Sequence, residues 1–105
     1  MNDSDPHFEV RFPSGTDDPL TDREIQLYRE EINRLDRLIL DAVKRRTEIS
    51  KAIGRTRMSA GGTRLVHTRE LAIINQFHAE LGDEGPSLAQ ILLRMGRGKL
   101  GTKST

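Results

Sequence analysis

The sequence of 105 residues predicts an all-α fold of three helices, the first of them very long. Three observations carry this. Apolar or small residues recur at spacings of three and four from Ile25 through Tyr28, Ile32, Leu35, Ile39 and Ala42, then at Ile49 and Ile53, as on one face of a helix. No stretch alternates apolar and polar residues as a half-buried strand would. Apart from Gly54, the breakers after residue 20 are gathered at few places: "SAGG" at 59–62, "GDEGP" at 82–86 and "GRGKLG" at 96–101.

Residues 1–20, "MNDSDPHFEVRFPSGTDDPL", hold three prolines, four aspartates and little periodicity. They read as a flexible N-terminal tail, with Phe8 or Phe12 available for a short partner contact. Thr21 followed by Glu24 is a capping-box signature, so the first helix starts there. Its pattern continues to about Met58, roughly 37 residues and about 55 Å of helix. A helix of that length without internal caps points to a coiled coil or a helix dimer. Gly54 weakens it locally by about 1 kcal/mol relative to alanine. The loop "SAGG" follows, and Thr63 is expected to cap a second helix that offers Leu65, Leu71, Ile74 and Phe77 to one face and stops at Gly82. A short third helix is expected from Pro86 or Ser87, carrying "LAQILLRM". The expected organisation is thus a tail over 1–20, one domain over 21–101 and a frayed end over 102–105.

Hydrophobic residues make up 34% and charged residues 31%, so the core is thin or shared with a second chain. Cysteine is absent, which removes disulfides and thiolate metal sites and fits a reducing cytoplasm. No apolar run is long enough for a transmembrane span, and the acidic start is unlike a secretory signal. The net charge of +1 gives no strong pull toward nucleic acid or a membrane. The cluster "KRR" with Lys51 and Arg55 could suggest a nucleic-acid patch, but aromatic residues for stacking are nearly lacking; Lys44, Arg45, Lys51 and Arg55 read as solvated surface. His7, His67 and His78 are too scattered for a metal site and read as surface residues, so no metal and no cofactor are expected.

One residue breaks the pattern. The seam position between Ala42 and Ile49 is filled by Arg46. A guanidinium without an anion in a helix–helix seam costs several kcal/mol, so Arg46 should meet one. Arg57 lies eleven residues on, about 20° around the helix and roughly 16 Å along it. Two such arginines can clasp one small carboxylate ligand between them. The plainer possibility is that Arg46 pairs with a glutamate of a partner helix. A second anion site is expected at the mouth of the second helix. With Thr63 as cap, the N–H groups of Arg64, Leu65 and Val66 lack intrahelical acceptors, and Arg69 and Glu70 follow within two turns. Its plainer reading is a capped helix with a surface Arg–Glu pair.

The residues "REEINRLDRLILDAVKRRTEISKAIGRTR" and "GGTRLVHTRE" together resemble the all-helical (AroQ-class) chorismate mutases, above all their short intracellular subclass. The resemblance covers about residues 22–101. It implies an intertwined homodimer whose long first helices pack antiparallel, with chorismate rearranged to prephenate in phenylalanine and tyrosine biosynthesis. Arg29 matches the family arginine that reaches in from the other subunit; at seventeen residues from Arg46, roughly 25 Å along one helix, it is too far to share a small ligand within one chain. Arg46 matches the central carboxylate-binding arginine. Arg57 matches the cation that contacts a carboxylate and the ether oxygen. Glu70 matches the acid that accepts a hydrogen bond from the C4 hydroxyl, and Arg69 the arginine before it. Val66 stands where the family uses a backbone N–H and often an aspartate, so only the main-chain half of that role remains.

The implied reaction is unimolecular and needs no nucleophile, which agrees with what the sequence lacks. The third helix is short, and no residue is assigned to the second group that longer relatives place at the ether oxygen; Arg97 is near the right end without a pattern to anchor it. The subclass is activated by a partner, 3-deoxy-D-arabino-heptulosonate 7-phosphate synthase, and "GRGKLG" is a candidate for that contact. Two rival readings are an isochorismate pyruvate-lyase on the same scaffold and a non-enzymatic helical dimerisation module.

Overall fold

A computed structural model describes residues 9–62 and 66–98. The elements are α1 (Asp22–Ser59), α2 (His67–Leu81), a one-turn 3-10 helix (Gly82–Glu84) and α3 (Gly85–Arg97). No strand occurs among the described residues. The all-α class and the long first helix are as the periodicity requires; the 3-10 turn is an addition to the expected three helices. The chain divides into two compact units, with the division between Ile39 and Leu40 inside α1.

In the first unit the capping box forms in both directions. The Glu24 N–H donates to Thr21 Oγ1 at 3.0 Å, and the Thr21 N–H donates to Glu24 Oε1 at 2.8 Å. Residues 9–20 hold no helix or strand, yet Arg11 ties them to the start of α1. Its guanidinium donates to both Glu24 oxygens, at 2.9 and 2.7 Å, and to the carbonyls of Asp18 and Pro19. Its backbone N–H donates to the Tyr28 hydroxyl at 3.0 Å. The Arg11 hydrogen bond, helped by the Thr21 N–H, pulls the Glu24 carboxyl down to about 2. Along this part of α1, Leu27, Ile32, Leu35 and Ile39 all stand exposed, the last at 58%. The apolar stripe that makes the helix amphipathic is left uncovered here.

The second unit packs α2 against α3 through a close approach of backbones. Gly85 is buried, and a Cβ there would fall 2.8 Å from the His78 nitrogen and overlap the Phe77 carbonyl. Only glycine fits that corner. The buried apolar residues among those described are three: Ile73, Ala89 and Leu92. The expected face of α2 holds in part: Ile74 and Phe77 are half-buried, but Ile73 is the buried residue, Leu71 is 59% exposed, and Leu65 lies outside the described residues. Ile49 and Ile53 of α1 are also exposed. Three buried apolar side chains bury far less surface than a domain of this size needs to offset its lost chain entropy.

The start of α2 is also corrected. Thr63 lies outside the described residues, and the N-cap is Val66, three positions later, with the helix beginning at His67. Val66 is extended (φ −119°, ψ 99°), a conformation that suits its β-branched side chain. The first intrahelical bond runs from the Glu70 N–H to the Val66 carbonyl at 3.0 Å. The donors at the helix mouth are thus those of Val66, His67, Thr68 and Arg69, and Val66 keeps its place among them.

Candidate active site

The second unit encloses a cavity of about 760 Å³ between the C-terminal half of α1, the first turn of α2 and the last turns of α3. That volume lies in the range of small-molecule sites. Arg46, Arg57, Val66, Arg69 and Glu70 all line it, so five of the six site residues read from the sequence come together. Arg29 does not line it; it lies exposed on the N-terminal half of α1, in the other unit. Arg45, Lys51 and Arg55, read from the sequence as solvated, are exposed but border the same cavity. His67 and His78 are exposed, and His7 lies outside the described residues.

Helical spacing explains the α1 wall. Residues 42, 46, 49, 53 and 57 share one face, so Ala42, Ile49 and Ile53 floor the cavity while Arg46 and Arg57 supply charge to it. Arg46 is half-buried, and its Nη1 donates to the Leu92 carbonyl of α3 at 3.3 Å. Among the described residues no carboxylate pairs with Arg46. Arg57 sits in the last turn of α1, whose end is closed by the Gly62 N–H donating to the Arg57 carbonyl at 2.7 Å. There a cation also meets the negative end of the helix dipole.

The third wall brings in a residue that the sequence left unassigned. Arg97, in the last turn of α3, donates from Nη1 to Glu70 Oε2 at 2.7 Å. Both side chains are mostly buried, with 23% and 19% of their surface exposed, so this is a short charge-assisted bond away from most of the solvent. The Arg97 Nε is buried without a hydrogen-bond partner. A further contact fixes the depth of this helix end. Gly96 is buried against Ser50 of α1, where a Cβ would fall 2.7 Å from the Ser50 Cβ and overlap its Oγ. The Arg97–Glu70 pair spans 27 residues, so no local periodicity signals it.

Among the described residues, seven cationic side chains (Arg45, Arg46, Lys51, Arg55, Arg57, Arg69 and Arg97) and one carboxylate, that of Glu70, line this cavity. Planar guanidinium forks grip carboxylates in pairs of bonds, and one acid among them can accept from a hydroxyl. The arrangement suits a small anionic ligand carrying at least one hydroxyl.

An all-helical scaffold with an arginine-lined cavity and one acid agrees with the family assignment. The profile of the family "Chorismate mutase type II" matches residues 28–95, and the chain belongs to that family. Among its relatives, the intracellular chorismate mutase of Mycobacterium tuberculosis is 60% identical over 78 residues, 74% of this chain and 73% of that protein. That of Mycolicibacterium smegmatis is 55% identical over 78 residues, 74% of this chain and 75% of its own length. Among solved structures, a chain in the non-covalent complex of DAHP synthase and chorismate mutase from Corynebacterium glutamicum, with bound transition state analog, is 81% identical. It superimposes with a TM-score of 0.74, covering 79% of this chain and 100% of that one.

Proposed function

We infer that the protein is a chorismate mutase, an intramolecular isomerase that rearranges chorismate to prephenate on the route to phenylalanine and tyrosine. The observation that carries the site assignment is the convergence of Arg46, Arg57, Arg69 and Glu70 on one cavity. In the rearrangement one C–O bond breaks and one C–C bond forms within a single molecule, so no group is transferred to the protein. Two physical effects remain for the side chains. Arg46 and Arg69 hold the substrate carboxylates, and Glu70 takes the C4 hydroxyl, which selects the compact conformer in which the reacting carbons approach. Arg57 places a fixed positive charge beside the ether oxygen, where negative charge grows as the C–O bond opens. The Val66 N–H adds a main-chain donor at the same end.

The functional unit is a homodimer in which Arg29 of one chain completes the site of the other. The uncovered stripe of Ile32, Leu35 and Ile39 supports this, since a second copy of the helix would cover it. A complex with DAHP synthase is the further partner, supported by the similar chain seen in such a complex. The synthase contact is assigned to the C-terminal "GRGKLG", of which residues 99–101 lie outside the described residues. The relatives are named intracellular, and no helix among the described residues is long and apolar enough to cross a membrane; the site of action is the cytoplasm.

The test is direct. Purified protein added to chorismate should abolish the substrate's ultraviolet absorbance with formation of prephenate, and should leave isochorismate unchanged. Salicylate from isochorismate would instead identify a pyruvate-lyase. Truncation after Gly98 should preserve basal turnover and remove stimulation by the synthase; undiminished stimulation would exclude that segment as the contact.

A further inference from the structure

We propose that Arg97 is a positioning residue: from the last turn of α3 it fixes the Glu70 carboxylate through Oε2 and leaves Oε1 for the substrate hydroxyl. This rests on Glu70 acting as reasoned above. A carboxylate has two oxygens and a χ3 torsion with broad, nearly two-fold freedom. Without Arg97, six other cationic side chains line the cavity, and the carboxylate could turn toward whichever of them lies within reach. The 2.7 Å bond from Arg97 Nη1 removes that choice. It also sets a cation directly against an acid that is largely out of water, where an ionised carboxylate needs a partner.

The position of Arg97 is itself determined by packing. Gly96 seats α3 on Ser50 at backbone distance, and Arg46 Nη1 holds the Leu92 carbonyl one turn earlier. The end of α3 therefore reaches two site residues at once, Glu70 through Arg97 and Arg46 through a main-chain oxygen. The Arg97 Nε is buried and has no partner among the described residues, so the short bond from Nη1 to Glu70 is the contact that anchors the side chain.

A double-mutant cycle on the full chain tests this, using Arg97→Met, Glu70→Gln and the pair, with kcat and KM for chorismate and a melting curve for each. Arg97→Met should lower kcat/KM by about 10- to 100-fold, the scale of a misplaced contact group. In the Glu70→Gln background the same change should cost less than about threefold, because the acid it acts on is gone. Arg97→Lys, which keeps the charge and is the substitution to use should the methionine variant not fold, should recover part of the loss. Additive effects would mean that Arg97 acts on the ligand by itself and would overturn the proposal while leaving Glu70 in its role. A silent Arg97→Met beside an impaired Glu70→Gln would overturn it too. Unchanged kinetics for Glu70→Gln would instead refute the assignment of Glu70, and the positioning role would fall with it.

Discussion

Replacing Gly96 by alanine adds one carbon at the point where α3 rests on α1. The new Cβ would lie 2.7 Å from the Ser50 Cβ, whereas carbon atoms pack at about 3.5–4.0 Å. Ser50 is held in the middle of α1, so rotating its hydroxyl cannot relieve a contact with its Cβ. The last turn of α3 must therefore retreat by roughly 1 Å. Overpacking of this kind costs about 1–3 kcal/mol. Against it stands the gain of about 1 kcal/mol that alanine brings over glycine in a helix. A net loss of up to about 2 kcal/mol follows, or up to about 15 °C in Tm for a domain of this size. The kinetic effect should be larger, because the retreat carries Arg97 away from Glu70; displacement by about 1 Å costs on the order of 100-fold in rate. Chorismate disappearance followed in the ultraviolet gives kcat/KM, and circular dichroism gives the melting curve. Adding Ser50→Gly removes the opposing atoms and should restore most of the rate, with the helix propensity lost by glycine in α1 roughly offset by the alanine gained in α3. A Gly96→Ala protein that melts higher than the parent and turns over normally would refute the argument, since helix propensity alone predicts that sign.

Three further outcomes follow from the same structure. Arg46→Met should reduce turnover by at least a hundredfold, as for loss of a transition-state donor, with a Tm equal to or above the parent's; a marked loss of stability would mean that Arg46 serves a protein acid. Glu24, drawn from its ordinary 4.5 to about 2 chiefly by Arg11, contributes stability that is fully present above 4.5 and is lost as the pH falls toward 2. In a carboxyl NMR titration Arg11→Ala should move the Glu24 midpoint up toward 4.5; an unmoved midpoint would refute the assigned cause. If a second copy covers α1, Tm should rise with protein concentration and Ile32→Glu should give a poorly folded monomer by ultracentrifugation and circular dichroism.

The sequence made the helices legible because their information is local. Thr21 and Glu24 are three residues apart, and the α1 stripe repeats every three to four, so both could be read from a short window. Arg46 stood out for the same reason, as a charge in an apolar row. The start of α2 was misplaced because Thr63 is a good capping residue, while Val66, an extended β-branched residue with no side-chain cap, carries no such signal. The choice of Ile73 over Leu71 for the interior depends on where α3 packs, which the α2 sequence does not encode by itself. Arg11 and Arg97 were illegible for a common reason: each meets its acid across a chain reversal, 13 and 27 residues away. Four charged residues per dozen leave too many possible partners for pairing to be deduced.

The Arg97–Glu70 bond also sets the earliest moment at which a newly made chain could bring a steadied acid to a competent dimer. Synthesis proceeds at roughly 5–20 residues per second, so Arg97 is joined to the chain a second or more after Glu70 and is among the last described residues to leave the ribosome. Products cut short by premature termination, or clipped within the final turn of α3, would keep nearly every helix yet lack the group that steadies the acid.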